Sequence, residues 1–450
     1  INASVAYDTV SNEYLVVWSG DEIEGQLIDG EFEIWGQRID AANGALLGAR
    51  LRISDMGPDG STAFQGQQPD VVFNATAGEF LVVWQGLDDS TDSPGEQEIW
   101  GQRIEAGTGL ELGVNDFRIS NQGTDGASNA DARSPAVAYN AIDDEYLVVW
   151  HGDGATGLAN EEFEVFGQRL EGASGARVGA EGFRISQMGT DGDTAFDAQA
   201  ADVAHNAINN EYLVVWSGDS DEGDLVNEEF EIWGQAIDGA TGALTGGNRR
   251  LSETGPDGNG NFDADTPAVT HATASNRFLV VWRGNDNPGG VGGLGREIYG
   301  QLVDGATLDE FGADFRISDM GPDGNSGFSA NVPAVVYVAA DQEFEVFWNG
   351  DDTTPPYVND DFEVFGQRLD ATGAEIGADF GVSTLGSDGQ TAFGANFPAV
   401  ASGPGRETFV VFQGDSGDGL QVDDELEIHG QRLRLVTIED RVFIDRFESQ

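Results

Sequence analysis

Cysteine is absent from the chain, and so is lysine: all 21 basic residues are arginines. Without thiols there are no disulfides and no thiolate chemistry, so stability must come from core size and ions. No run of 18 or more apolar residues occurs, which excludes a membrane-spanning helix. Basic charge is scarce altogether. Set against 80 acidic residues it leaves a formal net charge of -59, and both nucleic acid and an anionic membrane surface call for the opposite sign. Such self-repulsion keeps a protein soluble and strains a compact fold unless counter-ions relieve it. Cationic partners are favoured, and hard oxygen-rich side chains suit Ca2+ rather than zinc or copper. The rival explanation is a salt-adapted acidic surface without specific ion sites. The chain opens at Ile1 without methionine and enters a strand almost at once, which reads as a processed or trimmed chain.

What is present in quantity is repetition. The segment Glu145–Trp150 (EYLVVW) recurs at Glu13–Trp18, Glu79–Trp84, Glu211–Trp216 and Arg277–Trp282, then loosens to Glu343–Trp348 and Thr408–Gln413. Its closing residues are spaced by 66 five times and then by 65. A fixed period of this length signals a repeat architecture, each repeat being one supersecondary unit. In the third repeat, Pro135–Tyr139 reads as a buried strand opened by proline. Glu145–Trp150 is β-branched and aromatic, as strands prefer. Phe163–Leu170 and Phe183–Ser186 supply a third and a fourth strand, with Gly/Asp-rich loops between. No sustained 3.6-residue apolar pattern appears. A four-stranded meander cannot bury both of its faces alone, whereas seven packed radially can. The spacing therefore predicts an all-β, seven-bladed β-propeller with four antiparallel strands per blade; a solenoid would use shorter repeats with fewer turns.

Other markers keep the same beat. Gly-Gln stands at Gly36, Gly101, Gly167, Gly234, Gly300, Gly366 and Gly430, and Asp-Gly at Asp59, Asp125, Asp191, Asp257, Asp323 and Asp388. The blades are expected at 1–66, 67–132, 133–198, 199–264, 265–330, 331–395 and 396–450 of one propeller spanning 1–450. The seventh ends differently, with a tail at 433–450. Within it, Arg441–Glu448 is expected as the outer strand of that blade, the alternative being a strand added to a neighbouring molecule.

The run Phe163–Gly189, together with its LVVW strand, resembles a family of bacterial extracellular repeats. In that family a Trp-ended strand, a Gly/Asp loop, a GxQR strand and an FxVN or FRIS strand follow one another. The closing segment Val442–Glu448 is loosely similar to the short C-terminal ending of some secreted bacterial proteins, with Arg446 in place of the usual glycine. The resemblance implies a secreted bacterial protein, of a kind found in calcium-associated surface and adhesin-like assemblies. It specifies a blade and no activity.

The strongest repeated constellation is acidic. Asp21, Asp153, Asp219 and Asp351 follow a strand-ending aromatic, and the pairs Glu31/Glu33, Glu162/Glu164, Glu229/Glu231 and Asp361/Glu363 precede the Gly-Gln strand. A loop joining two antiparallel strands brings its ends together, so these acids are expected on one rim of each blade. With backbone carbonyls they could supply the oxygens that Ca2+ takes. The alternative is solvated acids paired with the repeated Arg38, Arg103, Arg169, Arg368 and Arg432. The Asp-Gly loops are a second metal candidate, but they lack the closing glutamate of an EF-hand. Their alternative is a tight turn in which Asp bonds its own backbone.

Features found in all seven blades are architecture; an active site should break the symmetry. His205 and His271 replace a first-strand aromatic, His429 replaces a third-strand aromatic, and His151 follows a strand-ending Trp. All four read as packed or loop rings before they read as metal or proton sites. Arg283 and Arg296 flank a glycine-rich loop, with Arg249 and Arg250 upstream, a local basic patch that reads first as surface arginines without a role and otherwise could hold a carboxylated sugar or dock an acidic neighbour. No nucleophile–base set, zinc spacing or phosphate loop is present. The favoured expectation is a secreted, non-enzymatic, calcium-binding propeller, structural, matrix-forming or adhesive, that self-assembles through its rims or its tail. The alternative is a carbohydrate-active enzyme (glycosidase or polysaccharide lyase) or a lectin-like module, since propellers carry sites at the channel mouth.

Overall fold

The protein is an all-β seven-bladed propeller built of seven four-stranded antiparallel sheets. The architecture is that of a computed structural model, which describes residues 2–22, 25–87, 96–122, 130–154, 157–285, 295–322, 325, 327–352, 361–385, 394–415, 426–435 and 441–448. For 435 and 441–448 the backbone alone is described. No helix occurs among the described residues. In each sheet the four strands follow one another in chain order, a simple meander.

Contacts divide the chain into two compact units. One comprises Ile1–Gly223 with Gln235–Asn248; the other comprises Asp224–Gly234 with Arg249–Gln450. In the first, the strands Ala3–Asp8, Gln65–Asn74, Ala132–Asn140 and Ala198–Asn206 lie side by side. In the second, Ala264–Ala272, Ala330–Val338 and Ala395–Ser402 do the same. These are the first strands of their blades, which are innermost in a propeller.

Second strands such as Glu145–Gly152 are buried along nearly their whole length. A strand covered on both faces reads as a continuous apolar run rather than an alternating one, which is why LVVW recurs. Its tryptophans are buried, and Trp150 stacks on Phe166 with ring centroids 6.4 Å apart. In blades one, two, three and five the glycine before the glutamine is set by packing: a Cβ on Gly36 would lie 2.7 Å from Ile53 Cδ1, and one on Gly300 2.9 Å from Ile317 Cδ1. The FRIS isoleucine sits where a side chain would otherwise be.

Two irregularities break the pattern. In blades two to seven the first strand carries a bulge, with Gln68, Ser134, Ala200, Thr266, Val332 and Phe397 at positive φ. The fourth strand shrinks to Phe315–Arg316 in blade five and Phe380–Gly381 in blade six. In blade seven, Arg441–Glu448 pairs antiparallel with Glu427–Leu435 as the fourth strand.

Candidate functional site

The repeated acids hold the blades together. Glu33, at the start of a third strand, accepts hydrogen bonds from Arg52 Nη2 (2.7 Å), Ser54 Oγ and the backbone N–H of Met56 (3.1 Å). Glu164 does the same with Arg184, Ser186 and Met188, and Glu231 with Arg250, Ser252 and Thr254. Glu363 takes Ser383 Oγ and the N–H of Leu385. The arginine and serine of FRIS are thus the partners that lock the fourth strand onto the third. Burial pushes Glu231 and its blade-five counterpart Glu297 up to about 7 despite the adjoining guanidiniums.

The other acids serve loops. Glu31 accepts the N–H groups of Ile28 (3.0 Å) and Gly60 (2.9 Å); Glu162 accepts those of Ala159 and Gly192, and Glu229 those of Val226 and Gly258. Asp21 accepts from Gly30 N–H and Asp153 from Asp131 and Glu161 N–H. Asp59, Asp191 and Asp257 pair with Arg52, Arg184 and Arg250. Asp219, Asp351 and Asp361 are buried. Asp125, Asp323 and Asp388 lie outside the described residues. Among the described residues no group of three or more His, Cys, Asp or Glu converges as a metal site would.

Arg38, Arg103, Arg169, Arg368 and Arg432 pair with Glu13, Glu79, Glu145, Glu343 and Glu407, at the start of the second strands, and not with the third-strand acids. Antiparallel register explains this: Glu13 faces Asp40 on the third strand, two residues from Arg38. The histidines are packed rings. His205 lies 4.9 Å from the Tyr212 ring and His271 4.8 Å from Phe278, each within hydrogen-bond reach of an asparagine. His429 stacks on Phe412.

One register position changes identity from blade to blade. It is the residue after the strand-ending aromatic, occupied by Ser19, Gln85, His151, Ser217, Arg283, Asn349 and Gln413; the register corrects the repeat in blade seven, where Phe412 and not Gln413 stands in the place of Trp348. From blade two onward it faces, across the ladder, Gln67, Arg133, Gln199, Asp265, Asn331 and Asn396, just ahead of the first-strand bulge. These pairs sit where a blade's second strand leaves for its loop, at the rim end of the innermost strands.

In the first unit, Gln85 Oε1 accepts from Ser134 N–H and Gln68 Oε1 from Ser134 Oγ, both at 2.9 Å. Arg133 donates to Gln97 Oε1 at 3.1 Å, pairs with Asp131 and lies over the Phe163 ring. His151 packs edge-on against Phe163, and burial, aided by Arg133, lowers it to about 4. It is a neutral imidazole at physiological pH.

In the second unit the same positions form a chain of polar contacts. Arg283 holds Asp265 through Nε and Nη2, both at 2.6 Å, and donates from Nη1 to Asn331 Oδ1 at 3.1 Å. Arg296 also reaches Asp265, at 3.2 Å; burial raises the carboxyl of nearby Asp263, against the opposing pull of the Phe230 N–H and Arg296. Asn349 Nδ2 donates to Asn396 Oδ1 at 3.1 Å. Asn349 Oδ1 and Gln413 Oε1 are buried and have no donor in the protein. Next to Asn396 on the first strand, Phe397 is 40% exposed. Of these residues the basic pair is legible in the sequence, while Asn349, Asn396, Gln413 and Phe397 are not singled out there. The available signal was variation in register with the repeat. Guanidinium, carboxylate, amides and an open aromatic ring suit a neutral or weakly charged polyhydroxylated ligand; they form no nucleophile–base pair.

No protein-family model matches the chain, and no curated protein matches its sequence. Solved structures do. A protein of unknown function from Dyadobacter fermentans is 11% identical with a TM-score of 0.51, the alignment covering 83% of this chain and 95% of that one. An α-L-arabinofuranosidase from Fusarium graminearum gives 11% identity and 0.48, covering 79% and 89%. A polysaccharide lyase, an ulvan lyase solved with a bound glucuronate–sulfated rhamnose unit, is 9% identical with a TM-score of 0.51 over 95% of this chain and 93% of its own. At these identities the likeness is one of fold, that of the β-propeller.

Proposed function

We propose that this chain is a carbohydrate-directed propeller that seats a glycan on the inner rim of blades five to seven. The observation that carries the reading is the pair of buried acceptors, Asn349 Oδ1 and Gln413 Oε1, left without protein donors beside the Arg283–Asp265 pair. A buried acceptor without a donor costs about 1–3 kcal/mol, and hydroxyl groups of a sugar are donors of the right kind. Binding sites concentrate a few such polar groups within an otherwise packed wall. Similarity in fold to a polysaccharide lyase agrees with this reading, by analogy alone. The calcium-scaffold alternative has less support at Glu31, Glu162 and Glu229, which already accept protein donors.

The test is a panel of neutral and acidic oligosaccharides and polysaccharides, scored both for binding and for chain cleavage by released reducing ends or unsaturated products. Binding without cleavage identifies a lectin-like module, and cleavage identifies an enzyme; each agrees with the proposal. Failure to bind or cleave any member of a broad panel contradicts it.

A further inference from the structure

Phe397 stands at a position that five other blades fill differently. Its counterparts at the first-strand bulge are Gln68, Ser134, Ala200, Thr266 and Val332, all at positive φ and all at least partly covered. Phe397 has φ of 52° and is 40% exposed. A bulky residue at positive φ is strained, and a phenyl ring left in water returns no hydrogen bond for that cost. Neither packing nor backbone conformation accounts for the choice.

Its surroundings do. The adjacent Asn396 faces Gln413 across the ladder and accepts a hydrogen bond from Asn349. In the chain the open ring is next to Asn396, which ties together the two residues whose amide oxygens lack protein donors. A pyranose has the matching pair of surfaces, a flat face of C–H groups and an edge of hydroxyls. Resting on the proposed glycan seat, we infer that Phe397 is its stacking platform and selects pyranose units with an uninterrupted apolar face. The ring covers that face while the hydroxyl edge meets Asn349 and Gln413. Aromatic platforms in which polar groups fix orientation follow the same division of labour.

The experiment is calorimetric titration of the best-binding oligosaccharide from the panel into wild type and the variants F397A, F397G, F397W and Q413A. F397A copies what blade four already holds at Ala200, and F397G removes the backbone strain, so both are expected to fold, with melting temperatures equal to or above wild type. The inference expects F397A and F397G to bind about tenfold or more weakly, the order of a lost anchor residue, and F397W to retain affinity. Wild-type affinity in F397A, with affinity lost in Q413A, would overturn the platform and leave the glycan seat standing. If wild type binds no glycan, the seat itself fails and the platform falls with it.

Discussion

Asp116 carries one half of a contact that recurs along the outer strands. Its carboxylate accepts the backbone N–H of Asp55 in the preceding blade at 2.7 Å, as Asp314 accepts from Glu253 and Asp379 from Asp319. In the same role Asn248 accepts from Gln187. Burial, with carboxylates nearby, pushes Asp116 up to about 7 from its ordinary 3.8. A raised folded-state value means that ionisation opposes folding. The stability is whole below the unfolded value and declines as pH rises through about 7. Asp116→Asn keeps the acceptor and removes the charge. It is expected to raise the melting temperature by about 1–2 °C at pH 8 and not at pH 4, read by scanning fluorimetry; an equal gain at both pH values would mean that ionisation is not the cause. The sequence alone could not show this contact, because it joins residues 61 apart whose types vary. The third-strand acids were visible as a repeat, but spacing does not say which arginine a carboxylate meets. That depends on register, and register gave Glu33 to Arg52 and Glu13 to Arg38.

At the scale of the element, the meander was the legible part. A 66-residue beat, β-branched strands and Gly/Asp turns all point to one blade, and each is a local property that repetition makes unmistakable. The irregular strands were not legible: in blades five and six the fourth strand shrinks to Phe315–Arg316 and Phe380–Gly381, with single bridges at Val303–Glu310 and Leu369–Glu375, a matter of pairing that apolar patterning does not record. Gly36 ties the third strand to the fourth by absence, since a Cβ there would meet Ile53 Cδ1 at 2.7 Å. Gly36→Ala is expected to cost about 1–3 kcal/mol through overpacking, measured by denaturant unfolding. Adding Ile53→Val removes the obstructing methyl and should return part of that loss. A double variant no more stable than Gly36→Ala would show that the clash lies elsewhere.

For the whole molecule, a net charge of -59 sets the background on which every local contact operates. Raising ionic strength from 0.01 to 0.15 M shortens the screening length from about 30 to about 8 Å. The melting temperature at pH 8 should therefore rise with monovalent salt alone; a matching response to Ca2+ only at equal ionic strength would instead point to specific ion sites. The central claim concerns the glycan seat, at a register position whose residue changes among the blades. Its most direct test is titration of a panel-selected oligosaccharide into wild type and into Gln413→Ala. The account predicts saturable binding by wild type and a loss of about tenfold or more in the variant, the effect of removing a hydrogen-bonding anchor. Equal binding by the two proteins, or none by wild type, would contradict it.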